Sequence, residues 1–169
     1  MTSLAGYGKA VPFLLIIACA AAAKQPPTPA ESIHQTFDYV NGKVLEMAKD
    51  FPADKYDFRP AKEMRSFGEV IVHIASGNVY AARAGRGENV NWDELDAKNY
   101  HSKADIVAVL EKSIRDSTAT LDAVPAERFS KTLLPWESVI EHSAEHYGLL
   151  VAYYRLNGLV PPETRRQNR

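Results

Sequence analysis

Apolar residues recur in this chain in steps of three and four, and no other feature constrains its fold as strongly. The first such segment carries Ile33, Phe37, Val40, Val44, Met47 and Phe51. The same period returns in three later segments, whereas no useful alternating strand pattern and no fixed-period repeat appears. The sequence therefore predicts an all-α fold, a four-helix bundle.

Capping residues and prolines predict where the first two helices begin and end. Thr28 and Glu31 form a capping box before the first apolar stripe, and Pro52 follows its last residue. Ser66 and Glu69 form a second capping box, which predicts a helix that runs into the low eighties.

The second half of the chain contains the other two predicted helices. A stretch over residues 85–101 lacks a sustained period and is predicted to be a long loop, a kind of segment that is often functional. The third helix should begin at Ser102 and stop at Pro125, and the fourth should begin near Pro135 and end before Gly158.

The length of the chain, 169 residues with 46% hydrophobic, suits a single hydrophobic core. We expect a signal segment over 1–23, a linker over 24–29, one helical bundle over 30–162 and a disordered tail over 163–169.

The N-terminal segment predicts export. Lys9 precedes an apolar run that is too short to be a mature membrane anchor, and small residues follow it. Two kinds of processing fit this segment. An ordinary signal peptidase could cleave after an Ala-x-Ala, at residues 18–20 or 21–23. Alternatively, the segment contains a lipobox, in which Cys19 would become the lipidated first residue. The expected location is the periplasm or the exterior, with a lipid anchor at Cys19 in the second case.

Charge and cysteine content exclude several classes of function. With 20 Lys+Arg against 21 Asp+Glu and no basic block, the chain lacks the footprint of a nucleic-acid binder. Cys19 is its only cysteine, so the folded part can form no disulfide and offers no thiolate. Oxygen and nitrogen ligands remain for any metal site.

Three histidines are the candidate metal ligands. His142 and His146 are four residues apart, which places both rings on one face of the fourth helix. His73 lies in the middle of the second helix and is the best-placed third ligand. Three imidazole nitrogens with one open position form a set typical of catalytic zinc centres.

These histidines also have other interpretations. Isolated histidines at this spacing are more often surface or hydrogen-bonded core residues, although burying three without partners would be costly. The motif over 142–146 also fits the His-x-x-Glu-His of inverted zinc peptidases, but too few residues follow for their further ligand. A di-iron bundle would need a second Glu-x-x-His motif, and only Glu31 with His34 fits.

Three segments carry a family resemblance. They are Arg59-Pro-Ala-Lys-Glu-Met-Arg-Ser-Phe-Gly-Glu-Val-Ile-Val-His73, His142-Ser-Ala-Glu-His-Tyr-Gly148 and Tyr154-Arg-Leu-Asn-Gly-Leu-Val-Pro-Pro162. Together they resemble the DinB-like (damage-inducible) bundle proteins. The resemblance covers nearly all of residues 30–162. It implies a four-helix fold with one divalent ion, zinc, nickel or iron, at His73, His142 and His146. Family members include thiol-dependent transferases and metal-dependent hydrolases.

Two functions follow from this set of residues. The first is a metal-dependent hydrolase or transferase acting on a small molecule, with Glu145 as the candidate catalytic base. A glutamate at this position can also be a hydrogen-bond acceptor for a ligand or, more commonly, a solvated helix residue. Asn78 and Tyr153 are secondary candidates for lining the pocket, although packing is the more common role for a residue such as Tyr153. The second is a non-catalytic metal-binding bundle of the cell envelope. Export argues against a thiol transferase, because low-molecular-weight thiols are scarce outside the cytoplasm. A homodimer is left open.

Overall fold

Four long helices dominate the structure, a computed structural model that describes residues 25–168. The helices are α1 (Pro29–Asp50), α2 (Phe67–Gly85), α3 (Lys103–Ala123), α4 (Ala126–Phe129), α5 (Leu133–Leu156) and α6 (Pro162–Gln167). Single 3₁₀ turns lie at Ala53–Lys55 and Ala97–Asn99, and residues 25–168 contain no strand. The predicted all-α fold with four long helices is confirmed.

The predicted helix starts are built as the sequence indicates. The side chain of Thr28 accepts a hydrogen bond from the backbone N–H of Glu31, whose carboxylate accepts from Thr28 N–H, and Ser66 and Glu69 repeat this reciprocal box at α2. Helix α5 begins at Leu133, so Pro135 lies in its first turn, where its missing N–H leaves no intrahelical bond unmade.

The apolar stripes meet in a buried core to which α1, α2, α3 and α5 all contribute. Phe51 stacks on Phe67 with ring centroids 3.8 Å apart, and both rings are fully buried. Tyr154 joins this cluster and donates its hydroxyl hydrogen to the carbonyl of Met47 at 2.8 Å, so its polar end is satisfied inside the core.

A buried polar network crosses the middle of the bundle. Asn78 of α2 donates to Asn41 of α1 at 3.1 Å and to Ser113 of α3 at 3.3 Å, and Ser143 of α5 donates to Asn41 at 3.4 Å. These four side chains are at most 2% exposed. The network therefore links all four long helices through directional bonds, which favour one mutual arrangement of the helices.

The C-terminal segment corrects one prediction. Residues 163–169 were expected to be disordered, yet α6 runs from Pro162 to Gln167. Arg165 forms an ion pair of 2.6 Å with Asp50, and Arg166 pairs with Glu46, so the segment is held against α1. The helical bundle consequently extends past its predicted end at residue 162.

Two further features complete the outline. The connection between α3 and α5 contains the short helix α4, which the sequence analysis did not predict. The predicted signal segment over 1–23, with Cys19, lies outside the described residues. Within residues 25–168, no helix combines the length and the apolar character that crossing a bilayer requires.

Candidate metal centre

Three histidine rings from two helices converge at one point of the bundle. His73 of α2 and His142 of α5 approach with their Nε2 atoms 3.0 Å apart. The ring centroid of His146 lies 4.9 Å from that of His73 and 4.4 Å from that of His142. One nitrogen from each ring lies within 4.8 Å of the other two.

The close approach of α5 to α2 depends on Gly77. A β-carbon at this position would lie 2.9 Å from Nδ1 and 3.2 Å from Cε1 of His142. Since Gly77 follows His73 by one helical turn, its missing side chain leaves room for the His142 ring beside the His73 ring.

Hydrogen bonds fix two of the rings. The Nδ1–H of His73 donates to a carboxylate oxygen of Glu94 at 2.9 Å, and the Nδ1–H of His146 donates to the backbone carbonyl of His142 at 3.0 Å. Because a carboxylate and a carbonyl can only accept, both rings keep the tautomer whose Nε2 carries a lone pair. Such a lone pair is the group through which a neutral imidazole can bind a metal ion.

The ring of His142 is held by packing instead. Its Nδ1 is buried and has no hydrogen-bond partner among the described residues. The indole of Trp92 lies edge-on beside it, with centroids 5.3 Å apart, and also contacts the ring of His73 at 5.8 Å. Trp92 itself is 46% exposed, so it forms one wall between the histidines and solvent.

Burial favours the neutral form of the His142 and His73 rings. Burial, together with the neighbouring rings of His146 and His73, lowers the pKa of His142 to about 4. The pKa of His73 is also lowered, mainly by burial and then by the charge of Arg65, although Glu94 opposes the shift. Both rings are therefore unprotonated at neutral pH, as metal ligands must be.

The family model of the DinB superfamily matches residues 36–153. The chain belongs to the DinB superfamily. Members of this superfamily often bind a metal ion. A search of curated proteins finds no match.

The three histidines of this DinB chain fit a divalent ion in their donor chemistry. Two nitrogens bound tetrahedrally to zinc at about 2.0–2.1 Å lie about 3.3 Å apart. The His73–His142 separation of 3.0 Å and the limit of 4.8 Å for the whole set bracket this value. Two lone pairs facing each other at 3.0 Å would repel, so this geometry calls for a proton or a cation between them.

The other predicted site residues lie elsewhere. Glu145 is exposed on α5 and makes no hydrogen bond to the three histidines within the described part of the chain. Asn78 belongs to the buried network, and the hydroxyl of Tyr153 donates to the backbone carbonyl of Arg65. The catalytic role predicted for Glu145 remains a prediction.

Two residues beside the histidines of this DinB site escaped the sequence analysis, Trp92 and Glu94. Both lie in the long loop predicted over residues 85–101. Their only local signal is an indole followed two residues later by a carboxylate. Glu94 also borders a surface groove of about 400 Å³ that Arg65, Glu69, Leu95, Asp96 and Ala97 complete.

Proposed function

We propose that this DinB-superfamily chain binds one divalent ion through His73, His142 and His146 and uses the remaining coordination position for chemistry on a small molecule. The observation that carries the proposal is the convergence of three imidazole rings without a fourth protein ligand among the described residues. Structural zinc sites usually fill all four positions with protein ligands, whereas catalytic sites leave one open.

The residues of the chain divide the work of such a site. The three Nε2 atoms would hold the ion, while Glu94 and the carbonyl of His142 keep two rings in the metal-binding tautomer. When bound, a divalent ion supplies Lewis acidity, which activates water or polarises a substrate oxygen at neutral pH. The indole of Trp92 limits access of bulk solvent to the rings.

Hydrolysis and group transfer are the two proposed reactions. In hydrolysis, Glu145 is the proposed base, which requires its exposed carboxylate to reach the substrate over the site. In transfer, a thiol would be the second substrate. We propose that the protein is exported through residues 1–23, and export favours hydrolysis, since low-molecular-weight thiols are scarce outside the cytoplasm.

A non-catalytic role is the second candidate. Glu145 is exposed, and Glu94 already accepts a hydrogen bond from His73. Among the described residues, neither carboxylate is therefore placed by its hydrogen bonds as a catalytic base beside the three histidines. In this case the ion would join α2 to α5 and stabilise the bundle, and the protein would serve as a metal-binding module of the cell envelope.

Metal content tests the shared part of both candidates. Tag-free protein should contain about one equivalent of zinc, nickel or iron by elemental analysis, and His142→Ala should lose it. His101→Ala is the matched control, because His101 is exposed and outside the site. A metal that survives His142→Ala in stoichiometric amount would refute the site.

Activity and processing separate the remaining alternatives. Metal-dependent turnover of ester or amide substrates without added thiol supports the hydrolase, and turnover only with a thiol supports the transferase. Stabilisation by metal supports the non-catalytic module if no turnover is detected either with or without added thiol. The intact mass of the mature protein distinguishes a lipidated Cys19 from ordinary cleavage.

A further inference from the structure

The loop between α2 and α3 contributes Glu94, whose carboxylate contacts one of the three proposed metal ligands. We propose that Glu94 is the positioning residue of the metal centre, and that Arg65 holds its carboxylate in place. This inference rests on the proposed metal site and goes beyond it. It concerns which protein groups decide how tightly the ion is bound.

The contact between Glu94 and His73 is directional. The carboxylate of Glu94 accepts from Nδ1 of His73 at 2.9 Å, on the opposite side of the ring from the Nε2 that faces His142. The side chain of His73 is only 13% exposed, so few water molecules compete for this bond. A carboxylate on Nδ1 selects the Nε2 lone pair and makes it a stronger donor to a metal ion.

The carboxylate of Glu94 is itself restrained. Both of its oxygens lie 3.2 Å from the same terminal nitrogen of Arg65. The backbone carbonyl of Arg65 accepts the hydroxyl hydrogen of Tyr153, a fully buried residue of α5. A chain of contacts therefore runs from the core of α5 through Arg65 and Glu94 to His73.

The loop is also fixed on both sides of Glu94. Leu95 donates its backbone N–H to the hydroxyl of Ser76 on α2 at 3.0 Å. Trp92 packs against the rings of His73 and His142. Because the residues on either side of Glu94 are anchored to the site, its carboxylate keeps its place with little freedom to lose when the metal binds.

The test compares two loop variants that each remove one negative charge. Glu94→Gln removes the carboxylate on His73, and Asp93→Asn removes a neighbouring exposed carboxylate that makes no contact with the three histidines in the described residues. Zinc affinity is measured by competition with a chromogenic chelator on tag-free protein. The ¹⁵N shifts of His73 in metal-free protein report its tautomer, with His73→Ala used for assignment.

Glu94→Gln should weaken zinc binding about tenfold or more, the scale on which such partners act. The glutamine amide can face Nδ1 with either its oxygen or its nitrogen, so His73 should also lose its preference for the Nδ1–H tautomer. Asp93→Asn should match the wild type in both measurements, and Arg65→Ala should weaken zinc binding less than Glu94→Gln.

The outcomes separate this inference from the proposed function. Zinc affinity in Glu94→Gln equal to that in Asp93→Asn would overturn the positioning role and leave the metal site intact. An unchanged His73 tautomer in Glu94→Gln would overturn it as well. A wild-type protein that binds no zinc, nickel or iron would overturn the proposed function, and the positioning role with it.

Discussion

Gly77 offers the sharpest single test of the geometry at the histidines. Substitution by alanine places a β-carbon 2.9 Å from Nδ1 of His142, while ordinary contact begins at 3.4 Å. The His142 ring must therefore move by about 0.5 Å, the difference between these two distances. The indole of Trp92 already packs against the His142 ring, with centroids 5.3 Å apart, and leaves that ring little room to move toward it.

A displacement of this size is large for a metal ligand, because bond lengths at metal sites hold to within about 0.2 Å. We expect Gly77→Ala to weaken zinc binding by about tenfold or more. The fold itself should change less. Alanine gains about 0.5–1 kcal/mol over glycine inside a helix, and this gain offsets part of an overpacking cost of about 1–3 kcal/mol.

The control is Gly42→Ala on α1, where an added β-carbon meets no atom within 4 Å. This variant should bind zinc like the wild type and unfold at slightly higher urea concentration. Chelator competition and urea unfolding on the three metal-free proteins give both quantities. Zinc affinity in Gly77→Ala that equals that of Gly42→Ala would refute the proposed arrangement of the His142 ring.

Three further predictions follow from the structure. The pKa of His142 is about 4 in the folded protein, against an ordinary value of 6.5. Between these two pH values the unfolded chain therefore binds more protons than the folded protein. The metal-free protein should lose stability as the pH falls through this range. The free energy of unfolding in urea should depend less on pH in His142→Phe than in the wild type. Parallel plots of this free energy against pH for the two proteins would contradict the prediction. Gly85→Ala puts a β-carbon 2.5 Å from the buried Trp136 indole and should lower the free energy of unfolding by about 1 kcal/mol or more, so equal stability would contradict the packing there. Asn78→Ala removes a hydrogen-bond donor to Asn41 and should lower the free energy of unfolding by about 1–3 kcal/mol. Zinc affinity of the folded variant should equal that of the wild type, because the buried polar network does not include the three histidines. An altered zinc affinity would contradict this separation.

The sequence predicted the features that arise within single helices. The spacing of His142 and His146 follows from the geometry of one helix, and the capping boxes at Thr28 and Ser66 are local as well. The pairing of His73 with them required the family resemblance or the assumption that two apolar stripes face each other. The structure brings all three rings together, and metal binding itself stays a prediction.

Features that depend on contacts between distant segments escaped the sequence analysis. Glu94 lies 21 residues from His73 in a loop without periodicity, so nothing local marks it as the partner of that ring. The C-terminal helix was missed for the same reason. Its arginines interact with Asp50 and Glu46 on α1, more than a hundred residues away, and short helices without an apolar stripe give no sequence signal.

The separation of 69 positions between His73 and His142 along the chain has a consequence for the whole molecule. An ion that needs all three rings can be bound only after the chain has folded back on itself from its second helix to its last long one. If the proposed ion is bound there, metal supply would shift the folded fraction by mass action, and free metal at a hundred times its dissociation constant would add about 2.7 kcal/mol to the free energy of unfolding. In a domain with no cysteine after residue 19, such an ion would be a cross-link between distant segments of a kind that disulfides supply in other proteins.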